Sequence, residues 1–197
     1  FANGARESGE CRGVFAFLVF PGRGDIVPRN KSATREVLET IIIAFVLAFL
    51  IRTFVFESYQ VQGISMEPTL HNGDRVLVNK LAYVFGQPKT GQIIVFKSPV
   101  IPSQDWIKRV IGVPGDTIRV SHNVVYINGH RYPEPFLEYR GSPNVAPTYV
   151  LPGYLWVEGD NRPKSFDSRY FGLLPIRNVR GRAILVWWPP RDMKWLP

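Results

Sequence analysis

The chain is 197 residues long, with a net charge of +8 and with 17 glycines and 17 prolines. That length suits one domain, or one with a small appendage, and so many helix breakers argue against a helical bundle. Residues 57–197 hold 17 Lys/Arg and 11 Asp/Glu, so 17 − 11 = +6; the excess is scattered, with no arginine-rich block or stacked-aromatic motif, which argues against nucleic acid and suits a face near anionic lipid. The single cysteine, Cys11, excludes an internal disulfide.

Residues 1–36 read as a poorly ordered leader, and the apolar patch Val14–Phe20 is too short to span a bilayer. Ser32 or Thr34 can cap a helix, and Val37 to Phe56 is then apolar on every face. Its 20 residues, at about 1.5 Å each, give about 30 Å, the thickness of the hydrocarbon core. A buried central helix would need other helices around it, and the rest of the chain offers none. A cleavable signal peptide would need a small-x-small site, which Arg52-Thr53-Phe54-Val55-Phe56 lacks. Residues 37–56 are therefore expected to be a retained transmembrane helix. Arg29, Lys31 and Arg35 precede it, while after Arg52 no basic residue occurs until Arg75. The positive-inside rule then puts the leader in the cytoplasm and residues 57–197 on the extracytoplasmic side.

That outer part reads as an all-β domain of packed antiparallel sheets. Arg75–Leu81, Gln92–Lys97, Trp106–Val113, Thr117–Val120, Val124–Ile127, Tyr154–Glu158 and Arg182–Trp188 are short apolar or alternating runs, bounded by Gly, Pro and Asn turns. Arg131 to Gly153 is interrupted by prolines and reads as an irregular excursion or small lobe. Trp187, Trp188 and Trp195 make an aromatic tail that fits either a bilayer interface or a packed strand end.

The chemistry starts at Gln62-Gly63-Ile64-Ser65-Met66-Glu67-Pro68-Thr69-Leu70. A serine at a sharp turn can simply bond its own backbone, or it can be a nucleophile if a base takes its proton. His71, His122 and His130 all fall in polar turns, and with one cysteine they give no metal-ligand spacing; no cofactor is expected. A lysine serves as base only if burial lowers its pKa. In Trp106-Ile107-Lys108-Arg109-Val110-Ile111 strand alternation sets Lys108 with Trp106 and Val110, and Arg109 with Ile107 and Ile111. The pattern marks Lys108 or Arg109 as buried without saying which. A last polar cluster, Gly159-Asp160-Asn161-Arg162-Pro163-Lys164-Ser165-Phe166-Asp167-Ser168-Arg169, follows a strand and supplies hydroxyls and carboxylates.

Together these segments resemble the type I signal peptidases, membrane-anchored serine proteases that remove signal peptides. Ser65-Met66-x-Pro68-Thr69-Leu70 behind an anchor looks like the nucleophile box. Gly73-Asp74-x-Val76-Leu77-Val78 looks like a structural box, Lys108-Arg109-Val110-Ile111-Gly112-x-Pro114-Gly115-Asp116 like the lysine box, and Gly159-Asp160-Asn161-x-x-x-Ser165-x-Asp167-Ser168-Arg169 like the third box. The likeness covers about Val37 to Trp188 and implies Ser65 as nucleophile and Lys108 as general base, with Ser165 holding the lysine amine. It implies ion pairs of Asp160 with Arg109 and of Asp167 with Arg169. Gly63, Ile64 and Met66 would surround the oxyanion and the substrate, with the Ser65 N–H as oxyanion donor. The substrate would be the signal peptide of an exported preprotein, bound as a strand, with small residues at −1 and −3. A small lobe is expected at 120–154. Some members carry a second serine where Gly63 stands, so backbone donors must suffice here. One anchor is more like Gram-positive, cyanobacterial and plastid members, which places the protein in a cell or thylakoid membrane. Two other functions compete. One is the self-cleaving repressors of the related Ser-Lys fold, which carry a DNA-binding domain in place of an anchor. The other is a membrane-tethered peptide-binding module without catalysis.

Overall fold

The structure, a computed structural model, describes residues 33–84 and 86–197. All of the expected leader except 33–36 lies outside them. Helix α1 runs Ala33–Leu50, and a π-helical turn, Ile51–Val55, continues it. The stretch Thr34–Val55 is 22 residues with a mean hydropathy of 2.2, and none of its most apolar window is buried. At about 1.5 Å per residue it is long enough to cross a bilayer. Arg35 Nε donates to Glu39 Oε1 at 2.9 Å one turn on, so two of the charges in this apolar helical stretch pair near its start. The helical stretch stops one residue short of the expected Phe56, which pairs with Asn79 and opens a strand.

The remaining chain is mainly antiparallel β-sheet. In order it gives β1 (Phe56–Gln60), β2 (Arg75–Asn79), β3 (Ile93–Lys97), β4 (Asp105–Gly112), β5 (Thr117–Ser121), β6 (Val124–Ile127), β7 (His130–Arg131), β8 (Val145–Tyr149) and β9 (Tyr154–Glu158). A short helix α2 (Ser168–Phe171) precedes β10 (Leu174–Pro175), β11 (Val179–Trp188) and β12 (Lys194–Trp195). The large sheet has the order β1-β2-β11-β3-β4-β9-β10, with β12 beside β11. Register shifts between β11 and β2, β11 and β3, and β4 and β9 curl it.

Both faces of this sheet are covered. In β3, Ile93 and Val95 join Val76, Val78, Met66 and Leu70 on one face, while Ile94 and Phe96 join Val110, Leu155 and Val157 on the other. A strand buried on both faces has no polar side, which is why Ile93–Phe96 is an unbroken apolar run. A third cluster, around Ile111, Ile118, Val125 and Trp156, joins the large sheet to a small one of order β7-β6-β5-β8. That small sheet runs from Thr117 to Tyr149.

Five strands lie outside the runs expected from sequence: the two-residue β7, β10 and β12, and the longer β1 and β8. β1 is short and half polar, and it exists because its backbone pairs with β2 along its whole length. β8 lies inside the segment expected to be irregular and contains Pro147. Its place at the edge of the small sheet explains the tolerance, since an edge strand can leave one side without an N–H donor. At the chain's end Trp187 Nε1 donates to Ser58 Oγ at 3.0 Å, tying β11 across to β1. Trp188 and Trp195 stay 50% and 77% exposed.

Candidate active site

Ser65 sits where the chain leaves β1 and turns back toward β2. Val61 N donates to Asp74 O at 2.8 Å and Gly73 N to Val61 O at 2.9 Å, so the two limbs of this excursion are laced together. Gly63 has φ +89, a region that glycine enters freely and other residues do not. Its N–H donates to Asn72 Oδ1 at 2.9 Å. Beyond it, Met66 and Leu70 plug into the core at 1% and 0% exposure, each such burial contributing about 2 kcal/mol. With its neighbours pinned, Ser65 presents its hydroxyl on the opposite side.

Lys108 Nζ lies 2.6 Å from Ser65 Oγ. The two residues are 43 positions apart, and the lysine is 5% exposed. Burial pushes its pKa down from 10.5 to about 8, against the pull of Asp167 and Asp160, with Arg169 adding a little to the lowering. Desolvation thus outweighs two carboxylates.

Both cations of the Lys108-Arg109 pair are buried, so neither takes the solvated edge position that the sequence left open to one of them. Arg109, at 3% exposure, forms a bidentate pair with Asp160, Nε to Oδ1 at 2.8 Å and Nη2 to Oδ2 at 2.6 Å. It also donates to Gly91 O at 2.8 Å and Thr69 Oγ1 at 3.3 Å, and lies over the Phe136 ring at 4.0 Å. Through Thr69 it braces the turn that carries Ser65.

The polar loop after β9 packs directly on the serine. Asn161 N donates to Ser65 O at 3.0 Å. Gly159 allows this closeness: a Cβ there would collide with Ser165 Oγ and Ser65 O, and would stand 2.7 Å from Ser165 Cβ. Asp167 holds the loop by accepting from Gly159 N at 2.9 Å and from both Arg169 Nε (2.8 Å) and Nη2 (2.7 Å). It also caps α2 through Arg169 N at 3.2 Å. Arg169 reaches on to Arg162 O at 2.9 Å and Ser142 Oγ at 2.8 Å.

Some expected site residues are placed otherwise. Ser165 Oγ is buried beside the site but has no hydrogen-bond partner among the described residues, so it does not hold the lysine amine here. Lys108 Nζ is directed at Ser65 instead. Met66 belongs to the core beneath the serine, and Ile64 is exposed; of the three expected substrate or oxyanion neighbours only Gly63 lines the cleft. The three histidines stay outside the cleft lining, as sequence position suggested.

Other residues were not singled out from sequence. Glu158, fully buried, accepts from Trp156 Nε1 at 2.8 Å and pairs with Arg162, which also donates to Glu134 Oε1 at 2.5 Å and to Gly159 O at 3.0 Å. Burial raises the Glu158 pKa, with Arg162 opposing. A signal existed, since a glutamate closing the apolar strand Tyr154–Glu158 needs a buried cation nearby.

The cleft itself has a volume of about 640 Å³. It is lined by Tyr59–Gly63 and Gln104–Lys108, together with Val76, Val95, Ser65 and Phe166. β9 pairs with β4 only from Arg109 onward, so the backbone edge of Asp105–Lys108 that faces away from β3 has no strand beside it among the described residues.

Fold and cleft together define a β-sheet protein with an open strand edge leading to a serine–lysine contact. The family profile described as signal peptidase, peptidase S26, matches residues 34–188. The chain is 37% identical over 176 residues to a signal peptidase I of Bacillus licheniformis, covering 84% of this chain and 94% of that protein. It is 38% identical over 170 residues to one of Leptolyngbya laminosa, covering 82% and 83%. A crystal structure of a signal peptidase I from Enterococcus faecalis V583 is 33% identical, covers 49% of this chain and 97% of that chain, and superposes with a TM-score of 0.45. The chain belongs to the signal peptidase family, peptidase S26.

Proposed function

We propose that this protein is a membrane-anchored serine endopeptidase that cleaves signal peptides from exported preproteins, with Ser65 as nucleophile and Lys108 as general base. The observation that carries the reading is the 2.6 Å contact between Ser65 Oγ and a lysine amine whose pKa burial holds near 8. A neutral amine has a lone pair for the hydroxyl proton, and an ammonium has none.

In the first step the Lys108 amine takes the Ser65 proton as Oγ bonds to the −1 carbonyl carbon. The resulting ammonium returns that proton to the departing amine of residue +1, and the C–N bond breaks. Water then attacks the acyl-enzyme, giving its proton to Lys108, which passes it back to Ser65 Oγ as the ester opens. The Ser65 N–H, which meets no acceptor among the described residues, is the donor for the oxyanion. Asp160 with Arg109, and Asp167 with Arg169, hold the loop and strand in register around the dyad. Ser165 Oγ, unpaired and buried beside it, is poised to steady the amine once the ammonium forms.

The substrate adds as a strand between the Asp105–Lys108 edge and Tyr59–Gly63. Both segments run toward the dyad, so a peptide whose −1 residue ends at Ser65 lies parallel to both. Side chains at −1 and −3 then point with Ile107 toward Val76 and Val95, an apolar floor that suits small side chains. This is the reading for Ala-x-Ala sites. The helix Thr34–Val55 spans the bilayer with the chain's amino terminus in the cytoplasm, and residues 57–197 form the extracytoplasmic catalytic domain. The test is preprotein processing in detergent by the wild type, Ser65→Ala and Lys108→Ala: both variants are expected to lose cleavage, and full activity in either refutes the dyad.

A further inference from the structure

The cleft has a second face that the small −1 and −3 residues do not use. Alternation along β4 places Trp106 with Lys108, opposite to Ile107. Trp106 and Phe166 both line the cleft and meet edge to face, with ring centroids 6.2 Å apart and planes at 83°. Phe166 is 51% exposed, and Tyr170 stacks on it at 5.3 Å and 14°. Phe171 backs both Trp106 and Phe166 at 6.2 Å, so the shelf is held from behind. The indole N–H is already given to Gln104 Oε1 at 3.2 Å. What the shelf offers a ligand is therefore ring surface.

A peptide strand running toward Ser65 puts −1 beside Ile107, and the next residue back, −2, beside Trp106 with its side chain on the aromatic face. We propose that Trp106 and Phe166 form the subsite for the −2 side chain of the bound signal peptide and confer a preference for an aromatic or large apolar residue there. The inference rests on the reading that signal peptides lie as strands in this cleft. Ring stacking and exclusion of water favour such side chains over Ser or Gly, which leave the shelf wet.

The experiment uses the full chain in detergent micelles and peptides with Ala at −1 and −3 and Phe, Leu, Ser or Gly at −2. Wild type is expected to show kcat/KM about tenfold higher for Phe than for Ser at −2. Phe166→Ala is expected to bring that ratio below about threefold, with Phe166→Leu between the two. A wild-type ratio near one overturns the proposal. So does a Phe166→Ala variant that slows all peptides alike, since Phe166 would then be structural only. If Phe166→Ala instead weakens binding to phospholipid vesicles at an unchanged ratio, the shelf meets lipid and the proposal fails. Failure of the parent reading has another signature: no peptide is cleaved by wild type, or Ser65→Ala cleaves them all.

Discussion

Replacing Lys108 by Met is expected to make the protein more stable while removing its activity. Met keeps most of the aliphatic packing of the lysine stem and deletes the amine. In the unfolded chain the amine titrates near 10.5, and in the folded protein near 8. Below pH 8 the folded state must therefore hold an ammonium out of water. The gap, at about 1.36 kcal/mol per pH unit, puts that penalty at about 3 kcal/mol near pH 7. Between pH 8 and 10.5 the unfolded state binds more protons, so wild-type stability rises with pH and the penalty falls to about 2 kcal/mol at pH 9 and to near zero above 10.5. Losing the Ser65 contact subtracts about 1 kcal/mol from the benefit of the variant. Lys108→Met is thus expected to exceed wild type by about 2 kcal/mol at pH 7, with the difference closing as pH climbs past 9. Equilibrium urea unfolding of the full chain in detergent, followed by tryptophan emission from pH 7 to 10, measures it; all five tryptophans lie beyond residue 57. A difference independent of pH, or a less stable variant at pH 7, refutes the argument that burial sets the lysine's charge.

The same neutral amine predicts that kcat/KM for a preprotein rises with pH by one proton's slope and levels off above about 8, where Lys108 is deprotonated; a rate flat from pH 6 to 9 would contradict it. Arg109→Met strands Asp160 in the core and is expected to cost about 3–5 kcal/mol, most of it recovered by adding Asp160→Asn; chemical denaturation of the single and double variants reads this. Gly159→Ala pushes a methyl into Ser165 Oγ and Ser65 O and is expected to lower kcat by about a hundredfold or more, because small displacements of reacting groups are that costly; single-turnover cleavage at saturating substrate checks it.

How much of this was legible in the chain differs from residue to residue. Strands such as Val124–Ile127 and Tyr154–Glu158 could be read because local alternation and turn residues bound them. β1 and β8 could not, since FESYQ and VAPTY owe their strand form to partners, β2 and β5, that sequence position does not reveal. For the same reason residue spacing alone said nothing of the Ser65–Lys108 contact, which spans 43 positions and depends on how the large sheet curls. The Glu158–Arg162–Glu134 set was harder to read: Glu158 at the end of an apolar strand called for a cation, but Arg162 and Glu134 come from two separate segments that read as solvated loops, and only the fold brings the three together.

Lys108 and Arg109 show why two neighbouring cations at the same depth can have opposite roles. Arg109 spreads its charge over donors that meet Asp160, Gly91 O and Thr69, so burial costs it little that is not returned by charge-assisted hydrogen bonds. Lys108 is as deeply placed, but its compact ammonium meets one hydroxyl at bonding distance. Its carboxylate neighbours Asp160 and Asp167 are each already engaged in a bidentate pair with an arginine. Those arginines do more than brace the loop: by occupying the carboxylates they keep them from stabilising the ammonium form of Lys108. Freeing Asp167 by Arg169→Met is accordingly expected to raise the Lys108 pKa and shift the whole pH–rate profile toward higher pH, an effect that mere loosening of the loop would not produce.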